Sequence, residues 1–171
     1  MRRRGQDEAG GMAGDGCRSN SEPGRVLPRE LQAPQDDAVG RALLALSIGA
    51  PIAATVARLW NRYQTEPTWR IVGYEASGRL LGALGLELIA PAAATIRHLA
   101  VVPEERGRGI GRQLLAAVAR RYALRTLTAE TDRDAVGFYR RCGFTITSLG
   151  EQYPGVERFR CRRRGSATAA E

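Results

Sequence analysis

The segment HLAVVPEERGRGIGRQLLAAVARRY, residues 98–122, joins an apolar run directly to a helical pattern. The apolar run ends at Pro103, and a stripe at helical spacing follows: Ile110, Leu114, Val118 and Tyr122. Such a stripe predicts an amphipathic helix. The first turn of a helix presents free backbone N–H groups and the positive end of the helix dipole. The segment therefore predicts a strand, a loop and a helix start that together bind an anion.

The loop before this helix consists mainly of small and basic residues: Arg106, Gly107, Arg108, Gly109 and Gly111. Glycines let a backbone approach a phosphate closely, and arginines add long-range attraction. A dinucleotide fold would need Gly-x-Gly-x-x-Gly, but Arg112 takes the third glycine's place. Glu130 does stand about 20 residues on, where a ribose-binding acid is found. The preceding elements nevertheless predict an antiparallel hairpin, which disfavours this interpretation. A tight turn without a ligand is the remaining alternative.

The charge of the chain restricts its chemistry. The formal net charge is +8, from 26 basic and 18 acidic residues, and all basic residues are arginine. The absence of lysine excludes a Walker A phosphate loop and any mechanism with a catalytic lysine. Part of the charge lies in RFRCRRRG near the C-terminus, whose alternation predicts an edge strand guarded by charge. No nucleic-acid recognition motif accompanies it, so we expect no nucleic-acid partner.

Cysteine and histidine are too few for a metal centre. Cys17, Cys142 and Cys161 are far apart, no CxxC pair occurs, and there is one histidine. We therefore expect neither a zinc site nor a disulfide framework. The longest apolar stretch, residues 42–57, is short and interrupted, and no signal segment is recognisable. We expect a cytoplasmic protein without a membrane partner.

The pattern of apolar residues predicts one domain with two tails. Residues 1–24 lack large apolar side chains and are expected to be disordered; residues 25–164 form the domain, and residues 165–171 form a short tail. The first predicted elements are a strand at 25–31, a helix at 36–49, a helix at 50–64 and a hairpin at 68–90. Asp36 and Asp37 are cap candidates for the first helix, Gly49 is its expected C-terminal glycine, and Ser77-Gly78 is the hairpin turn.

The second half continues with alternating elements. A strand at 95–102, the helix from residue 110 and a strand at 124–130 are followed by a helix at 132–142. Ala135, Phe138 and Cys142 share one face of that last helix. Strands at 144–150 and 156–162 end the domain.

Two motifs resemble one known family. Arg106-x-x-Gly109-x-Gly111 matches the Arg/Gln-x-x-Gly-x-Gly/Ala signature of the GCN5-related N-acetyltransferases (GNAT). Further along, AETDRDAVGFYRRCGF is similar to the family's second motif, and the order of elements from residue 26 to residue 163 is also similar. The resemblance implies an α/β (α+β) GNAT fold. This fold has a mixed, mostly antiparallel sheet of about seven strands, flanked by about four helices and splayed between strands 4 and 5.

The resemblance also implies acetyl-CoA as cosubstrate, without a metal. Pantetheine would lie in the wedge between the fourth and fifth strands, against main-chain groups of Leu99 and Val101, where an N–H group polarises the thioester carbonyl. The backbone from Gly107 to Arg112 would hold the pyrophosphate. Asp132 takes a position where the family often has a cofactor-binding Asn, and it would equally serve as a helix N-cap. The implied cofactor-binding residues are Leu99, Ala100, Val101, Arg106, Gly107, Arg108, Gly109, Ile110, Gly111, Arg112 and Asp132.

Tyr139 is the implied general acid, because the family uses a tyrosine here to donate a proton or a hydrogen bond to the leaving thiolate. A phenol with a pKa near ~10 stays protonated beside a thiolate of lower pKa. The alternative role is a core aromatic, which we expect Phe138 to fill.

The general base is not evident from the sequence. Some family members carry Glu on the fifth strand, where this chain has Leu127. Glu87 and Glu130 are the candidate bases, and a chain of water molecules is an alternative. His98 is a weaker candidate, because alternation in an unbulged strand points it away from Leu99 and Val101.

The resemblance implies an acetyl-CoA-dependent N-acetyltransferase that acts on a primary amine of a small molecule or peptide by direct attack in a ternary complex. A non-catalytic acyl-CoA-binding or sensory module is the alternative, which Tyr139 disfavours and the missing base favours. Cys142 is expected to pack rather than carry an acyl group. The segment LGEQYPGVERFRC predicts either an acceptor wall, with Glu151 and Glu157 attracting a cationic amine, or an ordinary hairpin. We expect a monomer or a homodimer.

Overall fold

The computed structural model describes residues 28–165. Both predicted tails, apart from Gly165, and Cys17 lie outside the described residues. The elements in chain order are β1 (Arg29–Glu30), α1 (Asp37–Leu46), α2 (Ala53–Thr65), β2 (Trp69–Ala76), β3 (Arg79–Ala90), β4 (Ala93–Val101), α3 (Ile110–Arg121), β5 (Thr126–Thr131), α4 (Arg133–Arg141), β6 (Thr145–Tyr153) and β7 (Val156–Arg164).

The strands form one sheet in the order β1-β2-β3-β4-β5-β7-β6. Neighbouring strands are antiparallel except β4 and β5, which pair in parallel from Ala93↔Thr126 to Ile96↔Ala129. Beyond this pairing β4 continues to Val101 and β5 to Thr131, so the sheet is open between them. This architecture confirms the predicted fold: a mixed, mostly antiparallel sheet with helices on its faces and a splay between the fourth and fifth strands.

Two apolar cores hold the helices on opposite faces of the sheet. The helices α1 and α2 pack on the β2–β4 half of one face, around Leu43, Leu44 and Trp60. On the other face, α3 packs on β2–β4 and α4 packs on β6 and β7, around the fully buried Leu84, Leu114 and other apolar side chains. The β5–β7–β6 half of the first face therefore carries polar side chains that are exposed or half-buried. We call this surface the open face.

The hairpin between β2 and β3 turns at Ser77 and Gly78, as predicted. Their φ angles are 50° and 72°. Positive φ at both central residues is the geometry of a two-residue turn whose twist matches that of the flanking strands. Next to this hairpin, β4 contains a bulge at Arg97, because Leu86 pairs with Ile96 while Gly85 pairs with His98. The bulge lies before His98, so the predicted alternation from His98 to Val101 is kept.

The start and end of α1 differ from the prediction. The helix ends at Leu46, before Gly49, and the Ser47 hydroxyl donates to the Leu44 carbonyl at 2.7 Å. Asp36 precedes the helix but makes no capping hydrogen bond. Its carboxylate accepts two bonds from Arg29, at 2.8 and 2.9 Å, and one from the Gln32 N–H. The Asp36 carboxylate, which the sequence predicted as a helix cap, therefore binds Arg29 instead.

The prediction of an edge strand near the C-terminus was wrong. The arginine-rich strand β7 lies between β5 and β6, and β6 is the edge strand. In α4, Val136 and Tyr139 are buried, while Phe138 and Cys142 are partly buried and pack against the same core. The helix α4 packs on β7 and β6.

Candidate functional site

The loop before α3 has the backbone that its glycines predicted. Gly107 and Gly109 have φ angles of 79° and 83°, in the left-handed region that side chains with a Cβ rarely adopt. Gly109 is the N-cap residue of α3 and has no side chain to satisfy the first turn. A Cβ atom placed on Gly107 or Gly109 would meet no atom within 4 Å. The space beside the loop is therefore open to a ligand.

Free backbone donors line this space. Within residues 28–165, the N–H groups of residues 107 to 112 donate to no protein acceptor, and the first bond of α3 runs from Gln113 to the Gly109 carbonyl at 3.0 Å. The donors coincide with the positive end of a 12-residue helix. An anion with several oxygen atoms, such as a pyrophosphate, matches this arrangement.

The three arginines around the loop bind groups of the protein itself. Arg106 donates to the Val101 carbonyl at 3.0 Å, and Arg108 pairs with Glu105 at 3.0 Å. Arg112 donates to the Arg141 carbonyl at 3.2 Å, which ties the start of α3 to the end of α4. The ion pair offsets the charge of Arg108. The attraction for an anion therefore comes from Arg106, Arg112 and the helix end.

The last glycine of the motif has a packing role. A Cβ atom on Gly111 would lie 3.0 Å from two carbons of the Phe138 ring, so α4 approaches α3 closely here. The neighbouring Ile110 side chain is buried in the core beneath α3. Ile110 and Gly111 therefore offer a ligand their backbone alone.

The backbone of β4 presents alternate residues to the opening beside β5. Val102 donates to the Leu81 carbonyl on β3 at 2.9 Å. Because N–H and C=O directions alternate along a strand, Ala100 also faces β3, while Leu99 and Val101 face the opening. The backbone groups of Leu99 and Val101 thus have the orientation needed to pair with a ligand that lies along β4 like an additional strand. Ala100 does not, since its backbone groups face β3 and its side chain is buried.

Tyr139 combines a buried ring with an accessible hydroxyl. The ring is 6% exposed and lies edge-on to Phe138 and Phe144, with centroid distances of 5.2 Å to each. Burial raises the pKa of the phenol above its usual value. The hydroxyl forms no hydrogen bond with residues 28–165. Every fully buried side-chain oxygen in that range has a hydrogen-bond partner. The hydroxyl of Tyr139 is therefore not fully buried and reaches the surface of the described domain. Tyr139, rather than the half-buried Phe138, is the core aromatic of α4.

Asp132 caps α4. Its carboxylate accepts hydrogen bonds from the N–H groups of Asp134 and Ala135 at 3.1 and 3.2 Å. The capping role that the sequence left open is therefore present, and a contact with the cofactor stays a prediction.

Both candidate carboxylate bases are ion-paired. Glu87 accepts two bonds from Arg97, at 3.0 and 2.5 Å, and Glu130 accepts two from Arg160, at 3.2 and 2.9 Å. Each carboxylate is therefore engaged by an arginine in this structure.

His98 lies on the face covered by α2, opposite to Leu99. Its Nδ1 is 2.7 Å from the Tyr63 hydroxyl. Burial, with a smaller contribution from Arg97, lowers the pKa of His98 to about 4. The imidazole is therefore neutral at neutral pH.

A cavity of about 560 Å³ lies on the open face, between the end of β5 and the β6–β7 hairpin. It is lined by Glu130, Leu149, Gln152, Tyr153, Val156, Arg158 and Arg160. The predicted hairpin forms, but Glu151 and Glu157 do not line the cavity. Glu157 instead bonds to Ser148 and Arg133, and these bonds lower its pKa. Sequence reasoning missed Arg158 and Tyr153, since only the pairing of β7 with β5 identifies the residues that share a face with Glu130.

Two absences concern the described residues alone. Between residues 28 and 165, no cluster of His, Cys, Asp and Glu has the arrangement of a metal site. No helix in that range has the length and apolarity needed to cross a membrane.

The chain resembles known proteins in its domain and in its fold. Residues 67–146 match the model of the acetyltransferase (GNAT) domain. Comparison of the sequence with curated proteins gives no significant match. Among solved structures, an acetyltransferase from Thermus thermophilus aligns with a TM-score of 0.66 at 24% identity, over 80% of this chain and 95% of that chain.

Two further structures are similar. Mutant forms of the spermidine/spermine N-acetyltransferase SpeG from Vibrio cholerae align with a TM-score of 0.64 at 19% identity, over 82% of this chain and 95% of that chain. A protein assigned as a streptothricin acetyltransferase from Bacillus anthracis, in complex with acetyl coenzyme A, aligns with a TM-score of 0.56 at 22% identity, over 63% and 70%. At these identities the structural likeness shows a shared fold. Together with the match to the domain model, it shows that residues 67–146 belong to an acetyltransferase (GNAT) domain.

Proposed function

We propose that this protein transfers an acetyl group from acetyl-CoA to a primary amine by direct attack in a ternary complex. The observation that carries the proposal is the row of free N–H groups from residue 107 to residue 112, beside an opening in the sheet. A similar fold in complex with acetyl coenzyme A supports the choice of cosubstrate, and a spermidine/spermine N-acetyltransferase of similar fold supports an amine acceptor.

The residues of the chain fit the parts of this cosubstrate. The glycine loop and the start of α3 offer backbone donors to the pyrophosphate, and the outward-facing groups of Leu99 offer strand-like pairing to pantetheine. The carbonyl of Val101 already accepts from Arg106, which leaves its N–H free. When bound, acetyl-CoA supplies a thioester whose carbonyl carbon accepts the amine nitrogen while the C–S bond breaks. Backbone N–H groups at the opening would stabilise the oxyanion.

Tyr139 would stabilise the departing thiolate by a hydrogen bond. Because burial raises its pKa, complete proton transfer to a thiolate of pKa about 8.5 is uphill. A neutral phenol can still donate a short, charge-assisted hydrogen bond. The proton lost by the amine then reaches the thiolate or the solvent without ionising Tyr139.

The ion pairs of Glu87 and Glu130 favour an amine that reacts in its neutral form. They equally support the second candidate function, a non-catalytic acyl-CoA-binding or sensory module, since each carboxylate is engaged by an arginine. Acetyl-CoA binding alone does not separate these two functions.

Acetyl transfer to a panel of amines tests the proposal. Amino acids, polyamines, aminoglycosides and peptides are incubated with acetyl-CoA, and the released thiol is measured together with the acetylated product by mass spectrometry. We expect at least one amine to give stoichiometric product and thiol. Tight acetyl-CoA binding without product from any class would instead support the sensory module.

A further inference from the structure

The cavity on the open face adjoins the opening between β4 and β5. Glu130, which lines the cavity, lies one residue beyond the last pair of these strands, Ile96 and Ala129. Its side chain points to the face opposite the buried Ala129 and Thr131. The glycine loop, in contrast, leads into α3 on the other face of the sheet. An acceptor in the cavity and a cosubstrate held by the loop would therefore meet at the opening from opposite sides.

The charges of the cavity favour an anionic group on the acceptor. Glu130 is the carboxylate in the lining, and two nitrogens of Arg160 bind it. Arg158 has no hydrogen bond or ion pair with any residue from 28 to 165, so its guanidinium remains available. One carboxylate and two guanidinium groups leave the cavity with a net positive charge. A polyamine would be repelled, whereas a carboxylate would find an unpaired arginine suited to bidentate binding.

The remaining walls are partly apolar. Leu149 and Val156 contribute aliphatic surface, and Tyr153 contributes an aromatic ring that is 72% exposed. A volume of about 560 Å³ suits a small molecule. The lining thus combines one unpaired cation with an apolar surface.

We propose, on the basis of the proposed function, that the acceptor is a small amino carboxylate with an apolar substituent, and that Arg158 binds its carboxylate.

Binding measurements test this inference separately from catalysis. The protein is saturated with CoA, which carries no acetyl group, and calorimetry measures the affinity for leucine, leucinamide and spermidine. We expect wild-type protein to bind leucine at least ~10-fold more tightly than leucinamide or spermidine. Arg158→Gln should weaken leucine binding by ~10- to 100-fold and leave leucinamide within about twofold. Arg158→Lys keeps the charge but loses the planar guanidinium, so its affinity for leucine should lie between those of the wild type and Arg158→Gln.

Arg162→Gln is the matched control. Arg162 lies on β7 two residues beyond Arg160, shares its face and is exposed, but it does not line the cavity. This variant should bind all three compounds like the wild type. The inference is overturned if spermidine binds as tightly as leucine, if Arg158→Gln weakens leucine and leucinamide equally, or if leucine does not bind at roughly millimolar concentration. Leucine binding with no acetylation of any amine in the panel would refute the proposed function and leave Arg158 as a carboxylate-binding residue.

Discussion

Gly109 offers the sharpest test of the phosphate site, because its position allows charge to be separated from shape. The φ angle of 83° disfavours most side chains, but Asn and Asp tolerate this region better than other residues. No atom lies within 4 Å of a Cβ atom placed there, so neither side chain meets a neighbour at its Cβ. Gly109→Asp and Gly109→Asn therefore carry similar backbone strain and nearly equal volume. They differ by one negative charge.

The effect of that charge can be calculated. A carboxylate about 6 Å from one phosphate charge, at an effective dielectric constant near 20, costs about 3 kcal/mol, which is a roughly 100-fold loss of affinity. The shared strain of about 1 kcal/mol affects stability in both variants alike. Because an Asp near the free N–H groups of α3 also interacts favourably with the helix dipole, the melting temperature of the Asp variant should not fall below that of the Asn variant.

Calorimetry with acetyl-CoA at moderate salt measures the difference directly. We expect Gly109→Asn to bind several-fold more weakly than wild type and Gly109→Asp to bind roughly 100-fold more weakly than Gly109→Asn. Raising the salt concentration should narrow the gap, since screening shortens the reach of the charge. Affinities of the two variants within about threefold of each other, with both folded, would refute the placement of a phosphate at this loop.

Three further predictions concern the buried polar groups. Tyr139→Phe should lower kcat by roughly 10- to 100-fold, the value of one hydrogen bond to a charged thiolate, and leave the KM for acetyl-CoA nearly unchanged, since only the hydroxyl is lost; steady-state kinetics with an accepted amine measures this. His98 has its pKa lowered to about 4, so its contribution to stability is complete above pH 6.5 and is lost as the pH falls towards 4, by up to about 3 kcal/mol. Urea unfolding at several pH values should show this slope in wild type and not in His98→Gln. Asp36→Asn should destabilise the fold by about 2 kcal/mol at pH 7, because it leaves Arg29 with a neutral partner. The pKa of the wild-type carboxylate is lowered in the fold. The difference in stability should therefore shrink below pH 4, as this carboxylate becomes protonated.

Each of these has a contrary outcome. Turnover of Tyr139→Phe within about threefold of wild type would reduce Tyr139 to a packing residue. A histidine that titrates near pH 6.5 by NMR would contradict the burial of His98 beside Tyr63. Equal stability of Asp36→Asn and wild type at pH 7 would mean that the pairing with Arg29 contributes nothing net.

Signals confined to a few consecutive residues were predicted well from the sequence. Ser77-Gly78 determines its turn through φ angles that few other dipeptides adopt. Likewise, the stripe from Ile110 to Val118 and the glycines before it determined the start of α3 and its free donors. The resemblance to a family then supplied the topology, including the single parallel pair, which no local pattern encodes.

Features that depend on distant residues were missed. An edge strand and an interior strand with one open face show the same alternation of arginines. Only the position of β7 between β5 and β6 shows that it is an interior strand. An acceptor wall with Glu157 was one of two alternatives for its segment; in the structure Glu157 pairs with Arg133, which is 24 residues away on α4. The ion pairs of Glu87 and Glu130 also depend on strand register. The roles of Leu99, Val101 and Tyr139 in catalysis stay predictions.

The opening between β4 and β5 also places two unsatisfied strand edges in the middle of the sheet. Edge strands at the margin of a sheet can recruit any extended chain, and proteins usually protect them with charge, proline or a covering element. Here the protection is geometric, because β4 and β5 stay joined at Ala93–Ile96 and the two edges converge there. A polypeptide strand needs about 4.8 Å from each neighbour along its whole length, which a converging wedge does not provide. The divergence of β4 and β5 thus has two effects. It creates a groove for a slender, amide-bearing molecule, and it keeps these interior edges of the sheet from pairing with another protein.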